Sequence, residues 1–369
     1  MSKSKKSSHN AAFSKALLEW YDRQAIDLPW RNQPDAYRVW LSEIMLQQTR
    51  VVTVIGYYER FLKAFPTVQS LAAAPLGEVL KQWEGLGYYS RARNLHRAAQ
   101  AIVNDHNGEF PAAAATLQTL PGIGPYTAAA IASIAFNEPV AALDGNVMRI
   151  LTRLFDYAET LGTPAVEQQL RAWAQDLLDA QRPGDFNQAL MDLGRTVCLP
   201  RNPLCVQCPV KKHCRAFKNQ TQNLRPVKKQ KAPLPTVRAA AAVLRDRKGR
   251  VLLIQRPPSG LLGGLWTLPG GNCAAEESFA DCLRRVLPSE FGLTVSVQYE
   301  IATAQQTFTH FHLLLRAYAC EISKGKLKLK EPRAFAWVAL DELAHYCFGK
   351  ADRAILDALT REQPRLFEE

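Results

Sequence analysis

Four of the eight cysteines lie within one short stretch, Cys198, Cys205, Cys208 and Cys214, with the spacing C-x6-C-x2-C-x5-C. Four thiolates this close can hold either a structural zinc ion or a [4Fe-4S] cluster. Zinc ribbons usually contain two close cysteine pairs and this stretch contains one, so the residues alone leave both groups open. A third interpretation is a structural staple that only closes the end of the surrounding fold. The other four cysteines lack ligand spacing and are expected to be buried thiols: Cys273, Cys282, Cys320 and Cys347.

Two carboxylates outside this stretch could perform acid–base chemistry. If the segment around Glu43 is a helix, Val39 and Trp40 lie on the same face as the carboxyl group. Such apolar neighbours would raise its pKa and suit it to be a general acid, although most helical glutamates are solvated surface residues. Asp144, in Ala-Leu-Asp-Gly-Asn-Val, is expected to begin a helix, whose positive end favours an ionised carboxylate. Capping alone is the simpler interpretation of Asp144.

A glycine turn precedes this aspartate in the sequence Leu-Pro-Gly-Ile-Gly-Pro-Tyr-Thr-Ala, residues 120–128. Gly122 and Gly124 would expose successive backbone N–H groups at the start of a helix, which attracts an anion such as a phosphate. An ordinary tight turn is an equal alternative from the residues alone. The net charge of +12, concentrated before residue 236, favours a nucleic acid as the partner.

The elements that must position these groups fall into two regions. The length of 369 residues suggests two domains, and residues 1–225 show apolar positions at helical spacing. Residues 226–235, rich in proline and basic residues, predict a linker. Residues 236–369 alternate like strands with two helices, which predicts an α+β domain. The predicted helices are 35–64, 75–104, 112–118, 125–135, 145–156, 164–180, 276–291 and 352–361, and the predicted strands are 236–244, 250–256, 293–302, 307–320 and 333–338.

Neither a signal peptide nor a membrane-spanning apolar run is recognisable in the sequence. We therefore expect a cytoplasmic protein without a membrane partner. In that compartment clustered cysteines are more often metal ligands than disulfides.

The hairpin, the aspartate and the cysteine spacing together resemble the endonuclease III superfamily of helix-hairpin-helix DNA glycosylases. The resemblance implies that Cys198, Cys205, Cys208 and Cys214 bind a [4Fe-4S] cluster. Two further stretches, Trp-Leu-Ser-Glu-Ile-Met-Leu-Gln-Gln-Thr at 40–49 and Gly-Leu-Gly-Tyr-Tyr-Ser-Arg-Ala-Arg-Asn-Leu at 85–95, resemble adenine-DNA glycosylases of the MutY type. By this resemblance, which covers essentially the whole chain, we expect a monomeric, bacterial-type and nucleoid-associated enzyme acting on double-stranded DNA with A:8-oxoguanine or A:G mispairs.

The resemblance also implies roles for individual residues. Glu43 would protonate N7 of an extruded adenine, and Asp144 would stabilise the oxocarbenium-like sugar or form a transient covalent adduct. This pairing is that of a retaining glycosidase, with carboxyl groups about 5 Å apart. Tyr126 and Asn146 would orient Asp144 and the sugar. The implied DNA contacts are Arg31 and Gln188 in the base pocket, Gln48 and Tyr88 inserted beside the opposing base, Thr49 and Leu86 at its edge, and the glycine turn of Gly122 and Gly124 on phosphate.

Strand cleavage is not expected, because relatives that also cut the backbone have a lysine where this chain has Tyr126. Met148 likewise stands where some relatives have a lysine. Three alternatives stay open: a bifunctional glycosylase and lyase, a Nudix nucleotide hydrolase joined to a DNA-binding module, and a DNA-damage binder without catalytic activity.

The second domain resembles a Nudix fold that has lost its hydrolase chemistry. Gly271, Glu277 and Arg285 match the start of a Nudix box, but Val286 and Ser289 replace two metal-binding glutamates, and Glu290 alone cannot form the site. Phe308, Thr309 and His310 resemble the Phe-Ser-His loop by which this family recognises 8-oxoguanine. From the residues alone, an ordinary alternating strand is the preferred interpretation of this stretch.

Overall fold

The computed structural model describes residues 3–24, 26–31, 35–229, 232–331 and 333–362. The chain forms two compact units. The first contains residues 1–74 and 94–231, and the second contains residues 75–93 and 232–369. The change of unit near residue 232 falls inside the predicted linker, whereas the inclusion of residues 75–93 in the second unit has no counterpart in the sequence pattern.

The helices of the two units follow one another along the chain, and none of the described helices is long and apolar enough to cross a bilayer. They are α1 (Lys3–Gln24), α2 (Ala36–Leu46), α3 (Val51–Ala64), α4 (Val68–Ala73), α5 (Leu76–Gln82), α6 (Ser90–Asp105), α7 (Ala114–Leu117), α8 (Pro125–Phe136), α9 (Gly145–Leu154), α10 (Pro164–Leu177), α11 (Pro183–Thr196), α12 (Arg215–Lys218), α13 (Phe279–Phe291) and α14 (Lys350–Glu362).

Local signals in the sequence fix where the site-bearing helices begin. The carboxylate of Asp35 accepts a hydrogen bond of 2.8 Å from the N–H of Arg38 and caps α2. Pro125 is the first residue of α8, where its missing N–H costs nothing. Asp144 caps α9. In the core of the first unit, α1, α9, α10 and α11 contribute buried residues such as Phe13, Leu151, Leu170 and Phe186.

Two predicted long helices are interrupted, which corrects the sequence-based assignment. The prediction of one helix over 35–64 is wrong because the chain leaves α2 through Gln48, whose φ is 58°. The prediction over 75–104 is wrong because Gly85 and Gly87 have φ of 92° and 80° and form a turn between α5 and α6. These left-handed conformations end a right-handed helix. The prediction also missed α1, α4, α11 and α12.

The sheets of the second unit are formed by β1 (Thr236–Leu244), β2 (Val251–Gln255), β3 (Trp266–Thr267), β4 (Gly270–Asn272), β5 (Leu293–Thr307), β6 (His312–Gly325) and β7 (Phe335–Val338). One sheet has the order β4-β1-β6-β5, with β1 parallel to β6 and the other pairs antiparallel. The other has the order β3-β2-β7 and is antiparallel. This arrangement of strands and helices agrees with the predicted α+β class.

Period-two alternation in β1 places its side chains in two separate cores. Ala239, Ala241 and Val243 pack in a core with α14, whereas the intervening residues pack in a core with α13. One predicted strand, 307–320, is wrong at its start. The structure ends β5 at Thr307, turns through residues 308–311 and begins β6 at His312.

Candidate active site and cysteine cluster

A cavity of about 760 Å³ in the first unit is formed by α2, α8, α9, α11 and the loops around them. It is lined by Glu43, Tyr126, Asp144, Asn146, Arg31, Gln48, Thr49, Gln188, Met191, Asp192, Arg195 and further residues. Its volume is within the range of pockets that enclose a small molecule. The fold therefore brings together eight of the residues that the sequence singles out, from segments as far apart as residues 31 and 188.

Glu43 is a buried acid at this cavity, with only 7% of the residue exposed. Burial raises the pKa of its carboxyl group to about 7, and the negative charge of Asp144 acts in the same direction. The hydroxyl of Tyr126 donates a hydrogen bond of 2.6 Å to Oε2, which together with Arg31 opposes the rise. Glu43 can therefore carry a proton near neutral pH and release it.

Asp144 is held by hydrogen bonds to both carboxylate oxygens. Oδ1 accepts from the N–H of Val147 at 2.6 Å, and Oδ2 accepts from Nδ2 of Asn146 at 2.7 Å. Burial nevertheless raises the pKa of the Asp144 carboxyl above its usual value, and these hydrogen bonds only partly offset the rise. The sequence-based argument considered the helix end and left out this larger effect of burial.

A chain of hydrogen bonds continues from Asp144 to the cysteine-rich loop. Asn146 accepts at Oδ1 from Nη2 of Arg149 at 2.9 Å, and the same guanidinium donates from Nε to the carbonyl of Cys198 at 2.8 Å. Arg149 also donates to the carbonyl of Gly194 at 2.8 Å. The orientation of Asp144 is thereby coupled to the position of the loop.

Arg31 is fixed by a carboxylate that the sequence analysis did not select. It donates through Nη1 and Nη2 to the two oxygens of Asp192 at 2.8 and 3.0 Å. Asp192 is 2% exposed and also accepts from Arg195 at 3.1 Å. A bidentate pair of this kind holds the guanidinium in one plane at the cavity.

Gln48, Thr49 and Gln188 line the same cavity, Gln48 with its left-handed backbone at the exit of α2. The amide of Gln188 donates weakly to the carbonyl of Gly184 at 3.4 Å. Gly122 has φ of 76°, and a Cβ there would lie 2.5 Å from Cβ of Asn94, so both backbone and packing require glycine. Gly124 is the N-cap residue of α8, as a turn that presents N–H groups requires.

The residues assigned to the opposing base divide between the two units. Leu86 and Tyr88 lie in the second unit, in the glycine turn before α6. The side chain of Leu86 is buried, so only its backbone could contact a base. Tyr88 is 46% exposed, so its side chain is accessible. Thr309 Oγ1 lies 3.5 Å from the hydroxyl oxygen of Tyr88. Phe308, Thr309 and His310 form a hairpin turn in which the rings of Phe308 and Phe311 stack at 4.7 Å.

The acidic residues Glu277 and Glu290 of the Nudix-like segment form ion pairs with basic side chains. Glu277 accepts from Arg285 at 2.8 and 2.7 Å, which lowers the pKa of this carboxyl to about 2. Glu290 pairs with Lys330 at 3.3 Å. Cys282, Cys320 and Cys347 are buried as expected, but the expectation is wrong for Cys273, which is partly exposed. Its position at the end of β4 places its sulfur within 4.8 Å of Cys282 and Glu277.

The four clustered cysteines line one enclosed space between α9 and the loop that follows α11. All four are free thiols. A tetrahedral zinc with bonds of about 2.3 Å would hold four sulfurs about 4 Å apart. In the part of the chain that the structure describes, Cys273, Glu277 and Cys282 are the group of three ligand atoms that lie within 4.8 Å of one another. No three of the four clustered sulfurs are that close together. Their wider arrangement fits a larger group than a single ion.

A buried arginine fixes this loop. Arg153, 2% exposed, donates to the carbonyls of Leu199 and Gln222 at 2.7 and 2.8 Å and to Sγ of Cys198 at 3.2 Å. Burial raises the pKa of the Cys208 thiol to about 12, so the free thiol stays protonated unless a metal replaces its proton.

Two family models match the chain. Residues 41–175 match the HhH-GPD superfamily of base excision DNA repair proteins, and residues 240–358 match the NUDIX domain. An adenine DNA glycosylase of Homo sapiens is 36% identical over 412 residues, which cover 96% of this chain and 75% of that protein. The chain belongs to the adenine DNA glycosylase family. The Mus musculus adenine DNA glycosylase is also 36% identical and covers 93% of this chain and 77% of its own length.

Two solved structures share the fold of part of this chain. A thermostable thymine-DNA glycosylase superposes with a TM-score of 0.52 and 28% identity, over 57% of this chain and 98% of that one. Endonuclease III trapped covalently on DNA gives a TM-score of 0.50 over 58% of this chain and 98% of that one. Its 21% identity shows a shared fold only.

For this adenine DNA glycosylase family member, sequence reasoning missed Asp192, Arg149 and Arg153. Each is a charged residue on a helix and resembles a solvated surface residue in sequence. One signal was available: the apolar pattern of α9 and α11 leaves these positions on faces that also carry core residues. A charge on such a face requires a buried partner, but the sequence does not name that partner.

Proposed function

We propose that the chain hydrolyses the N-glycosidic bond of adenine in double-stranded DNA when the opposing base is 8-oxoguanine, and more slowly when it is guanine, without cutting the strand. The observation that carries this proposal is the shared cavity of Glu43 and Asp144, with the pKa of Glu43 at about 7. An acid that is protonated near neutral pH beside a hydrogen-bonded carboxylate is the pair that glycosidic cleavage needs.

The reaction requires the adenine to leave the base stack and enter the cavity. Glu43 donates its proton to N7, and the C1′–N9 bond breaks with its electron pair moving to the adenine. Asp144 stabilises the cationic sugar or bonds to C1′. Water then adds to C1′, displacing the Asp144 carboxylate where that bond has formed, and gives a proton to the Glu43 carboxylate, which restores both groups. Tyr126, whose buried hydroxyl has a pKa well above its usual value, stays neutral and positions Glu43.

Strand cleavage by a Schiff base needs an amine at C1′. The cations among the described residues of the cavity are Arg31, Arg50 and Arg195, and the lining includes no lysine. Guanidinium groups stay protonated and do not act as such nucleophiles. This composition supports a monofunctional enzyme.

Recognition of the opposing base is proposed for Gln48 and Thr49 in the first unit and for Tyr88 and Thr309 in the second. Gln48 and Tyr88 have left-handed backbones, with φ of 58° and 49°, and both residues are exposed. The hydroxyl of Thr309 can donate to or accept from an oxidised purine. A 3.5 Å approach to Tyr88 supports a joint role for the two residues.

We also propose that Cys198, Cys205, Cys208 and Cys214 bind a [4Fe-4S] cluster, which would hold the basic loop between them in one conformation. A further proposal is that the protein acts as a monomer. The wide arrangement of the four sulfurs supports iron and sulfide over one zinc ion. Four irons and four acid-labile sulfides per chain are expected from metal analysis, and light scattering should give the mass of one chain. One zinc per chain without iron would contradict the cluster.

The direct test of activity is single-turnover incubation with duplexes that hold A opposite 8-oxoguanine, G, C or T, followed by alkali to reveal abasic sites. We expect the rate of adenine excision to be highest opposite 8-oxoguanine, lower opposite G and lowest opposite C and T. Glu43→Gln should keep the affinity for the A:8-oxoguanine duplex and lose at least about 100-fold in rate, since its proton is needed in the chemical step. Glu59→Gln, at an exposed position on α3, is the matched control.

Two further outcomes separate the alternatives. Strand breaks without alkali, with a borohydride-trapped protein–DNA adduct in high yield, would support a lyase instead. Absence of adenine release from every duplex, with tight binding retained, would support a damage binder without catalysis.

A further inference from the structure

A group of potential metal ligands lies in the second unit, away from the active site and the four-cysteine loop. Cys273 follows β4, Glu277 precedes α13, and Cys282 is in the first turn of α13. One sulfur or carboxylate oxygen from each residue lies within 4.8 Å of the other two. We call this group the three-ligand site. Its spacing, C-x3-E-x4-C, is not that of a common cysteine motif, which is why the sequence does not indicate it.

The separations in the three-ligand site fit a single tetrahedral ion. Zinc bonds of about 2.3 Å to sulfur and about 2.0 Å to oxygen place the ligand atoms roughly 3.5 to 4 Å from one another. Small rotations of side chains whose ligand atoms are already within 4.8 Å are enough to close the site around such an ion. Three protein ligands leave the fourth tetrahedral position to water.

The carboxylate of Glu277 is held in place and keeps an acceptor position for an ion. Nε of Arg285 donates to Oε1 at 2.8 Å, while Nη2 of Arg285 and the N–H of Ala274 donate to Oε2 at 2.7 and 2.8 Å. These bonds use three of the about four acceptor positions of a carboxylate. The thiol of Cys282 is a further hydrogen-bonding neighbour of the same carboxylate. An ion that replaces the thiol proton would take this remaining position.

The charges around the three-ligand site balance with one divalent ion. Nη2 of Arg285 lies 3.9 Å from Sγ of Cys282, so the guanidinium is beside both the sulfur and the carboxylate of Glu277. Two thiolates and one carboxylate supply three negative charges, and a divalent ion with one guanidinium supplies three positive charges. Neutrality of this kind is what makes charged groups tolerable where they are partly buried.

The backbone on both sides of the three-ligand site is fixed, and one side is accessible. The N–H of Cys273 donates to the carbonyl of Arg238 at 2.8 Å and continues the pairing of β4 with β1. The N–H of Cys282 donates to the carbonyl of Ser278 at 2.9 Å within α13. Cys282 is buried, whereas Cys273 and Glu277 are partly exposed and provide an entry path for an ion.

We propose that Cys273, Glu277 and Cys282 bind one zinc ion, which links the end of β4 to α13. Binding releases the two thiol protons to solvent and changes no oxidation state. Two sulfur ligands favour zinc over magnesium and calcium, which prefer oxygen ligands. The site differs from the magnesium site of a Nudix box, where this chain has Val286 and Ser289. It does not rest on the proposed glycosylase activity.

The test is zinc uptake by the full chain under anaerobic conditions. Protein equilibrated with a slight excess of zinc sulfate is desalted and analysed for zinc, iron and protein. Cys273→Ser and Cys282→Ser should each retain one zinc ion fewer per chain than the wild type. Cys320→Ser, which changes another buried thiol of the same unit, should retain as much as the wild type. Equal zinc in all four proteins would overturn the proposal.

Zinc can also enter the four-cysteine loop, so the difference between the proteins, rather than the total zinc, assigns the site. Glu277→Gln provides a further variant in which no buried thiol is changed. In competition with a chromophoric chelator, its affinity for zinc should be at least about tenfold weaker than that of the wild type. Glu276→Gln, at the exposed neighbouring position, should leave the affinity unchanged. Wild-type affinity in Glu277→Gln would exclude the carboxylate as a ligand and overturn the site as proposed.

A disulfide between Cys273 and Cys282 is the competing use of the two sulfurs. Mass spectrometry of peptides from the anaerobically purified chain distinguishes the two states, because a disulfide lowers the mass by two hydrogens. We expect both residues as thiols before zinc is added. A disulfide that persists in this preparation and blocks zinc uptake would overturn the proposal, since no thiolate would then be available to the ion.

Discussion

The hydroxyl of Tyr126 lies 2.6 Å from Oε2 of Glu43 and donates a hydrogen bond to it. The two residues are on different helices, α8 and α2, and are 83 positions apart. This hydrogen bond stabilises the carboxylate and therefore works against the burial that raises the pKa of Glu43. Burial and this hydrogen bond are the two largest influences, and with the charges of Asp144 and Arg31 they set the pKa at about 7.

Tyr126→Phe should move the pH profile of excision. Loss of the hydrogen bond removes a stabilisation of the charged form, so the pKa of Glu43 rises above its value of about 7. In the wild type the single-turnover rate should fall about tenfold per pH unit above that value, because the protonated acid is required. In Tyr126→Phe this fall should begin at higher pH. An unshifted pH profile would show that Tyr126 does not influence the pKa of Glu43. Tyr299→Phe, at an exposed site, is the control.

Glu43→Gln should change stability in a pH-dependent way. The folded-state pKa of about 7 is above the usual 4.5, so the folded protein holds more protons than the unfolded chain between these values. Wild-type stability therefore decreases as pH rises through that window, by about 3 kcal/mol in total. The variant lacks this loss, and its thermal midpoint should exceed that of the wild type more at pH 8 than at pH 5. Glu59→Gln should show an equal difference at both pH values.

Asp192→Asn should destabilise the protein and slow excision. The side chain is 3% exposed and paired with Arg31, which itself is 16% exposed, so the change leaves a buried cation short of its partner. We expect a loss of about 2 to 3 kcal/mol in the free energy of unfolding. Asp185→Asn on the same helix breaks a pair with Arg182 in which both side chains are 41% exposed, and should cost less than about 1 kcal/mol. Denaturant unfolding of both variants measures the difference, and equal losses would contradict it.

Thr309→Ala should reduce the preference for A:8-oxoguanine over A:G by about tenfold, the effect of one hydrogen bond. Thr309→Ser keeps the hydroxyl and should retain the preference. Single-turnover rates on the two duplexes provide the ratio. A ratio that is the same in all three proteins would leave the hairpin turn without a role in discrimination.

Arg153→Met should lower the amount of bound iron. The buried guanidinium donates to the carbonyls of Leu199 and Gln222 and to Sγ of Cys198, and its loss leaves these acceptors unpaired. Arg171→Met, on the exposed face of α10, is the control. Iron per chain and the visible absorbance of the protein measure the effect. Wild-type iron content in Arg153→Met would show that the loop holds its shape without this arginine.

Several features of the fold follow from local sequence. The starts of α8 and α9 are encoded by Pro125 and by Asp144, and the continuous apolar run of β1 encodes its two buried faces. The helix break at Gln48 was not predicted, because its residue type does not require the left-handed backbone that it adopts. The left-handed conformation costs such a residue about 1 to 2 kcal/mol locally, and tertiary packing offsets that cost.

The candidate site shows the same division. Residue types and motifs selected Glu43, Asp144 and the four cysteines, since carboxylates and thiols have a limited set of chemical uses. The pKa of Glu43, the pair of Arg31 with Asp192 and the grouping of residues 75–93 with the second unit were decided by the tertiary structure. These depend on burial and on contacts between residues far apart in the chain. Electrostatic energies vary with distance and with the surrounding dielectric, and for these residues both quantities are set by the folded structure.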